Sequence, residues 1–279
     1  MKYKFSFLAV FFVLASFSVM AQGGDDAKSK AWLTAITSNA ITKASVPGKY
    51  AKAPGGLALY FSQAGDIRVP YLVNVPKSYD PAKTAVLVVF LHGAILARDS
   101  FQYKELSIAE EPIFRASESF QVLAVFPFAR ADFAWGRNEA ANENIITIIN
   151  QVEQVYNVDK KKIYMGGISM GGNATYWFVN NKADIFAGFY AFSSMPRDGS
   201  VQFSHITERK PLYTMNAKDD QTFSYKEIES LHDKYMHQYP GWHFMGVENG
   251  GHRFIYGSNG KTHMQSLLSD LLGIHVLEH

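Results

Sequence analysis

Gly166-Gly167-Ile168-Ser169-Met170-Gly171-Gly172 joins two unlike patterns. Ahead of it, Lys162–Ile168 is short and mostly apolar, as a strand is. Behind it, Ala174, Trp177 and Phe178 recur at helical spacing. A G-x-S-x-G pentapeptide between a strand and a helix marks a tight turn that exposes its serine. Side chains at Gly167 and Gly171 would clash in so sharp a turn, and Ser169 itself is expected in a strained conformation. The helix N-terminus below the hydroxyl offers partial positive charge to a developing oxyanion.

Outward from this turn the pattern alternates. Strands are expected at Leu57–Ser62, Val69–Val75, Ala85–Leu91, Gln121–Phe126, Lys162–Ile168, Ala187–Ser193, Pro211–Asn216 and Trp242–Glu248. The run Ala85–Leu91 is apolar throughout, as a strand covered on both faces must be. Ile145, Ile148, Ile149, Val152 and Val155 form one helical stripe, and further helices follow Gly171, span Phe223 to Tyr239 and run from His263 to Leu272. Strands alternating with helices imply an α/β layer structure around a mostly parallel sheet of eight strands.

Composition narrows the classes. The 279 residues are 47% hydrophobic and 19% charged, which excludes a disordered chain. Lys and Arg number 27 against 25 Asp and Glu, and the longest basic run is Lys160-Lys161-Lys162, read as a solvated bend, so no nucleic-acid partner is expected. The absence of cysteine rules out disulfides, thiolate metal sites and a lipidated N-terminal Cys. Met1-Lys2-Tyr3-Lys4 is basic, Phe5 to Met20 is apolar, and Ala21 suits a signal peptidase. Residues 1–21 therefore read as a cleaved signal peptide, in preference to a membrane anchor, because the run is shorter than the ~20 residues of a spanning helix. Residues 22–56 read as a leader with a helix near Trp32 to Ile41, and 57–279 as one domain.

Ser169 needs a base, and His252 has the setting for one. It follows Gly250-Gly251 after the last strand, where the chain can turn sharply and expose an imidazole. An acid should follow the strand Pro211–Asn216, where Asp219 and Asp220 are adjacent; either could orient the imidazole. One oxyanion donor is expected at the Met170 N–H and a second at the Ala94 N–H in Leu91-His92-Gly93-Ala94-Ile95, with His92 organising that loop. Phe133 and Trp135 are candidate walls of the substrate cleft. No metal or organic cofactor is implied, since His and acidic residues lack a ligand spacing such as H-E-x-x-H.

From Leu57 to Leu272 the sequence resembles the α/β-hydrolase superfamily. It is most similar to secreted bacterial esterases of the feruloyl/acetyl-xylan esterase and polyhydroxybutyrate-depolymerase-like branch. The likeness lies in Val155–Tyr164 leading into Gly167–Gly172, in Val69-Pro70-Tyr71 with Val75-Pro76, and in Phe90-Leu91-His92-Gly93. The order Ser169, Asp219, His252 is also that of the superfamily. The resemblance implies an esterase acting on a small-molecule or polysaccharide-linked ester, such as a feruloyl or acetyl ester. It favours Asp219, because the acid of these relatives commonly lies three residues after a glycine whose place Asn216 takes here. Asn144 stands where many relatives are acidic. A peptidase on the same fold and a non-catalytic binding protein are the alternatives. The 17 residues from Ser194 to Lys210 read as a turn, so no large cap domain is expected and the cleft should be open.

Overall fold

The computed structural model describes residues 50, 52–53, 55–98, 101 and 108–273. The signal-peptide reading, and the helix and most of the leader after it, lie outside these residues. Eight strands form one sheet: β1 (Gly56–Ala64), β2 (Ile67–Val75), β3 (Ala85–Leu91), β4 (Leu123–Pro127), β5 (Val158–Ile168), β6 (Gly188–Phe192), β7 (Leu212–Ala217) and β8 (Trp242–Val247). Their order is β1-β2-β4-β3-β5-β6-β7-β8. The β1–β2 and β2–β4 pairs are antiparallel, and every pair from β4–β3 to β7–β8 is parallel.

Helices cover both faces, and the alternation within the strands shows how. Leu87, Val89 and Leu91 of β3 belong to one apolar layer, and Val88 and Phe90 to the other. The first layer is roofed by α2 (Glu139–Val155), α3 (Met170–Asn181) and α4 (Tyr225–Tyr235), and the second by α1 (Pro112–Phe120) and α5 (Gly260–Leu272). The stripe on α2 is buried as its spacing required, with Ile145, Ile148, Ile149 and Val152 at most 2% exposed. Each such side chain contributes about 1.5–3 kcal/mol on burial. Asn138 caps this helix by accepting the Ala141 N–H at 3.1 Å.

One local expectation needs correction, and one element is new. Lys160-Lys161-Lys162 is not a bend but the exposed early part of β5. Between the pairs Ala85–Val158 and Leu87–Ile163, β5 advances five residues against two on β3, so the lysines ride on a bulge. Helix α1 is an addition. Pro112 opens it, and Ile113, Ala116, Ser117 and Phe120 are buried at helical spacing. The connection from β6 to β7 carries a single 3-10 turn, Asp198–Ser200. Among the described residues no helix is long and apolar enough to cross a membrane.

Candidate active site

The parallel strands deliver their C-terminal ends to one edge of the sheet, and the site is built there. Ser169 links β5 to α3 with φ 55° and ψ −114°. Such a conformation costs a residue with a Cβ about 1–3 kcal/mol. The surroundings hold it in place. Its N–H donates to the Phe192 carbonyl at 3.0 Å, and its carbonyl accepts the Asn173 N–H at 2.8 Å. A Cβ on Gly167 would lie 2.2 Å from the Leu91 carbonyl oxygen, and one on Gly171 would lie 2.0 Å from it. Both glycines are thus required by the closeness of β3.

His252 lies in the 3-10 turn Gly251–Tyr256 after β8. Its Nε2 is 2.9 Å from Ser169 Oγ and its Nδ1 is 2.9 Å from Asp220 Oδ2. Because a carboxylate only accepts, Nδ1–H donates to Asp220, and Nε2 is left to accept the Ser169 hydroxyl proton. Asp220 is fixed in turn. Its other oxygen accepts the Thr222 and Phe223 N–H groups at 2.7 and 3.1 Å, and its side chain is fully buried. The acid against the imidazole is therefore Asp220 and not Asp219. The physical reason is the length of β7, which pairs with β8 through Ala217, one residue beyond the expected end. The turn closes with the Asp220 N–H on the Ala217 carbonyl, which moves the inward-facing carboxylate one place along. Asp219 faces outward and accepts the Gly250 and Gly251 N–H groups, which hold its carboxyl below the ordinary carboxylate range, Gly251 contributing most.

The loop after β3 passes over Ser169, since a Cβ on Gly93 would lie 3.6 Å from that of the serine. His92 is buried there. Its Nδ1–H donates to the Gly93 carbonyl at 2.6 Å, and its Nε2 accepts the Ala129 N–H at 3.1 Å, which fixes a neutral imidazole in one tautomer. A planar trans peptide points its N–H opposite to its carbonyl. Holding the Gly93 carbonyl therefore also sets the direction of the Ala94 N–H. Ala94 and Ser169 border a common cavity of about 250 Å³. Met170, at the first position of α3, sets its N–H at the positive end of that helix.

The rest of the cavity wall comes from Ile95, Glu111, Ile168, Arg253 and Tyr256. Phe133 and Trp135 do not reach it. They are 3% and 2% exposed, Phe133 packed with Val69 and Ala141 and Trp135 edge-on against His92 at 4.8 Å between ring centroids. The loop after β4 turns these rings into the interior, where Trp135 supports the His92 loop. Of the residues not anticipated, Arg253 follows His252 directly and stacks over Tyr256 at 5.1 Å. Glu111 arrives from the start of α1, far away in sequence, and nothing near it in the chain marks it as part of the site.

No protein-family profile matches the sequence. Over 92 residues the chain is 29% identical to a bifunctional acetylxylan esterase/xylanase from Neocallimastix patriciarum, a stretch covering 33% of this chain and only 13% of that protein. Solved structures resemble it over far more of its length. The feruloyl esterase module from Clostridium thermocellum, complexed with sinapinate, superposes with a TM-score of 0.61 at 16% identity, covering 86% of this chain and 96% of the module. A propionate-bound esterase from Thermogutta terrifontis gives 0.60 at 16% identity, covering 78% and 94%. A thermostable esterase gives 0.55 at 21% identity, covering 77% of this chain and 60% of the other. This chain has the α/β-hydrolase fold.

In this fold the strained serine, the imidazole and the buried carboxylate come from the ends of β5, β8 and β7 respectively. They form a continuous line of hydrogen bonds, so a proton leaving Ser169 Oγ has an acceptor already in contact. The arrangement can activate a hydroxyl and hold a tetrahedral oxyanion beside two backbone N–H groups.

Proposed function

We propose that this protein is an exported serine carboxylesterase that works through an acyl-enzyme. The observation that carries the reading is the pair of 2.9 Å contacts from His252, to Ser169 and to Asp220, at the mouth of a cavity. Ser169 Oγ attacks the ester carbonyl carbon while its proton passes to His252 Nε2. Negative charge collects on the carbonyl oxygen, facing the Met170 and Ala94 N–H groups. As the carbon–oxygen bond to the alcohol breaks, His252 returns the proton to the leaving oxygen. Water then attacks the acyl-Ser169 ester with His252 again as base, releasing the acid and restoring the serine. Asp220 keeps the imidazole in the tautomer that this cycle needs and stabilises its protonated form.

The sinapinate complex of the feruloyl esterase module and the likeness over 92 residues to a bifunctional acetylxylan esterase/xylanase support feruloyl or acetyl esters on plant polysaccharide as the substrate class. Export is supported by the basic start and apolar run of residues 1–21. A chromogenic acetate ester and a feruloyl ester are the direct test. The wild type should hydrolyse at least one of them, and Ser169→Ala should lower the rate at least ~10⁴-fold with the melting temperature unchanged. A Ser169→Ala protein retaining a tenth of the activity would dismiss the nucleophile and the reading with it.

A further inference from the structure

We propose that Asp219 is a positioning residue for His252, holding the turn from which the imidazole is aimed; the proposal rests on the esterase reading above. Its Oδ2 accepts the Gly250 N–H at 3.1 Å and its Oδ1 accepts the Gly251 N–H at 2.8 Å. Successive peptide N–H groups point apart in an extended strand. Here they reach one carboxylate, in a turn where Gly250 and Gly251 have φ of 118° and 61°, values that glycine adopts freely. Successive N–H groups in such a turn form a small concavity for an anion, and the carboxylate fills it. The bonds are charge-assisted, so each is stronger than a neutral one.

The residue after this concavity is His252. Asp219 and Asp220 therefore grip the same histidine at different points, Asp219 through the backbone leading into it and Asp220 through the ring. The two carboxylates are adjacent in a turn fixed to the end of β7, so the backbone and ring of His252 are referred to one rigid base. On its other side the glycine turn packs on Phe254, since a Cβ on Gly250 would lie 2.7 Å from the Phe254 Cβ. Asp219 is exposed and touches neither Ser169 nor the cavity wall, so its effect must pass through the position of His252. A displacement of about 1 Å at a catalytic group costs on the order of 10²-fold in rate.

The test is the turnover of a chromogenic acetate ester by Asp219→Asn and Asp219→Glu, with Ser169→Ala as control. Asn cannot offer an anion to both N–H groups, whereas Glu retains one. Asp219→Asn is expected to lower kcat about 10- to 100-fold, with KM within twofold of wild type and the melting temperature unchanged. The rate of covalent labelling of Ser169 by a fluorophosphonate should fall in parallel, and Asp219→Glu should recover part of both rates. A kcat within twofold of wild type in Asp219→Asn overturns the positioning role while leaving the esterase reading intact, provided Ser169→Ala is inactive. A joint loss of melting temperature and turnover that Asp219→Glu does not reverse also overturns it. Activity surviving in Ser169→Ala overturns both readings.

Discussion

Asp219 and Asp220 are chemically identical neighbours with opposite surroundings, one exposed and one with its carboxylate fully buried. Burying a carboxylate is expensive unless its oxygens are paired, and Asp220 has three hydrogen-bond donors, the Thr222 and Phe223 N–H groups and the His252 ring. Replacing it by Asn keeps the shape but removes the charge that stabilises an imidazolium and the acceptor that selects its tautomer. Asp220→Asn is therefore expected to lower kcat by about four orders of magnitude, far more than Asp219→Asn. Steady-state hydrolysis by the two variants side by side checks this, and the reverse ranking would return the orienting role to Asp219. The sequence alone could bring the acid only to this pair. Which carboxylate faces inward depends on one extra residue of β7 pairing with β8, and inward and outward exchange at every step of a strand. Ser169 and His252 were legible because each is flanked by glycines whose placement only a strained or sharply turning backbone explains.

At the scale of elements, β5 and α3 approach β3 so closely that hydrogen is the only side chain tolerated at Gly167 and Gly171. The atom in the way is the Leu91 carbonyl oxygen, part of a central strand that cannot retreat without disturbing its pairs with β4 and β5. Gly167→Ala should therefore destabilise by at least the ~1–3 kcal/mol of an overpacked core. For a chain of this size each kcal/mol lowers the melting temperature by about 2–4 °C. The variant should also lose turnover, because the backbone that must shift carries Ser169. Thermal unfolding followed by circular dichroism measures the first effect, and a melting temperature within a degree of wild type would show that the approach is looser than described. All eight strands were readable because short apolar runs bounded by turn residues carry their own signal. Helix α1 was not read, although Pro112 and the spacing of Ile113, Ala116 and Phe120 fit a helix, because its apolar stripe is short and broken by charge. The directions of Phe133 and Trp135 were not either, because a loop has no periodicity from which to tell inside from outside.

Across the whole molecule, the two apolar layers bury phenols as well as hydrocarbon. Tyr71, Tyr156 and Tyr176 belong to one layer and Tyr190 to the other, none more than 4% exposed. Loss of hydration raises the pKa of all four above the ordinary tyrosine value, because an interior site penalises the charged phenolate. At Tyr156 the hydrogen bond with Tyr60 adds to this, whereas at Tyr176 the bond with Ser194 works against it. Tyr190 donates to the Val89 carbonyl at 2.7 Å, and Tyr156 pairs with the Tyr60 hydroxyl at 2.8 Å. A folded-state pKa above the unfolded one means that the native protein holds the proton more tightly. The stability linked to these groups is thus complete below ~10, the pKa of an unfolded tyrosine, and is lost as pH rises above it. Alkaline titration followed by tyrosinate absorbance should therefore show the four buried phenols ionising only above the ordinary value of ~10, together with the collapse of far-ultraviolet circular dichroism. In guanidinium chloride they should titrate near the ordinary value. A single reversible transition near ~10 in the native protein, with every tyrosine titrating and the secondary structure retained, would mean that water reaches both faces of the sheet and that the packing around Tyr71, Tyr156, Tyr176 and Tyr190 is open.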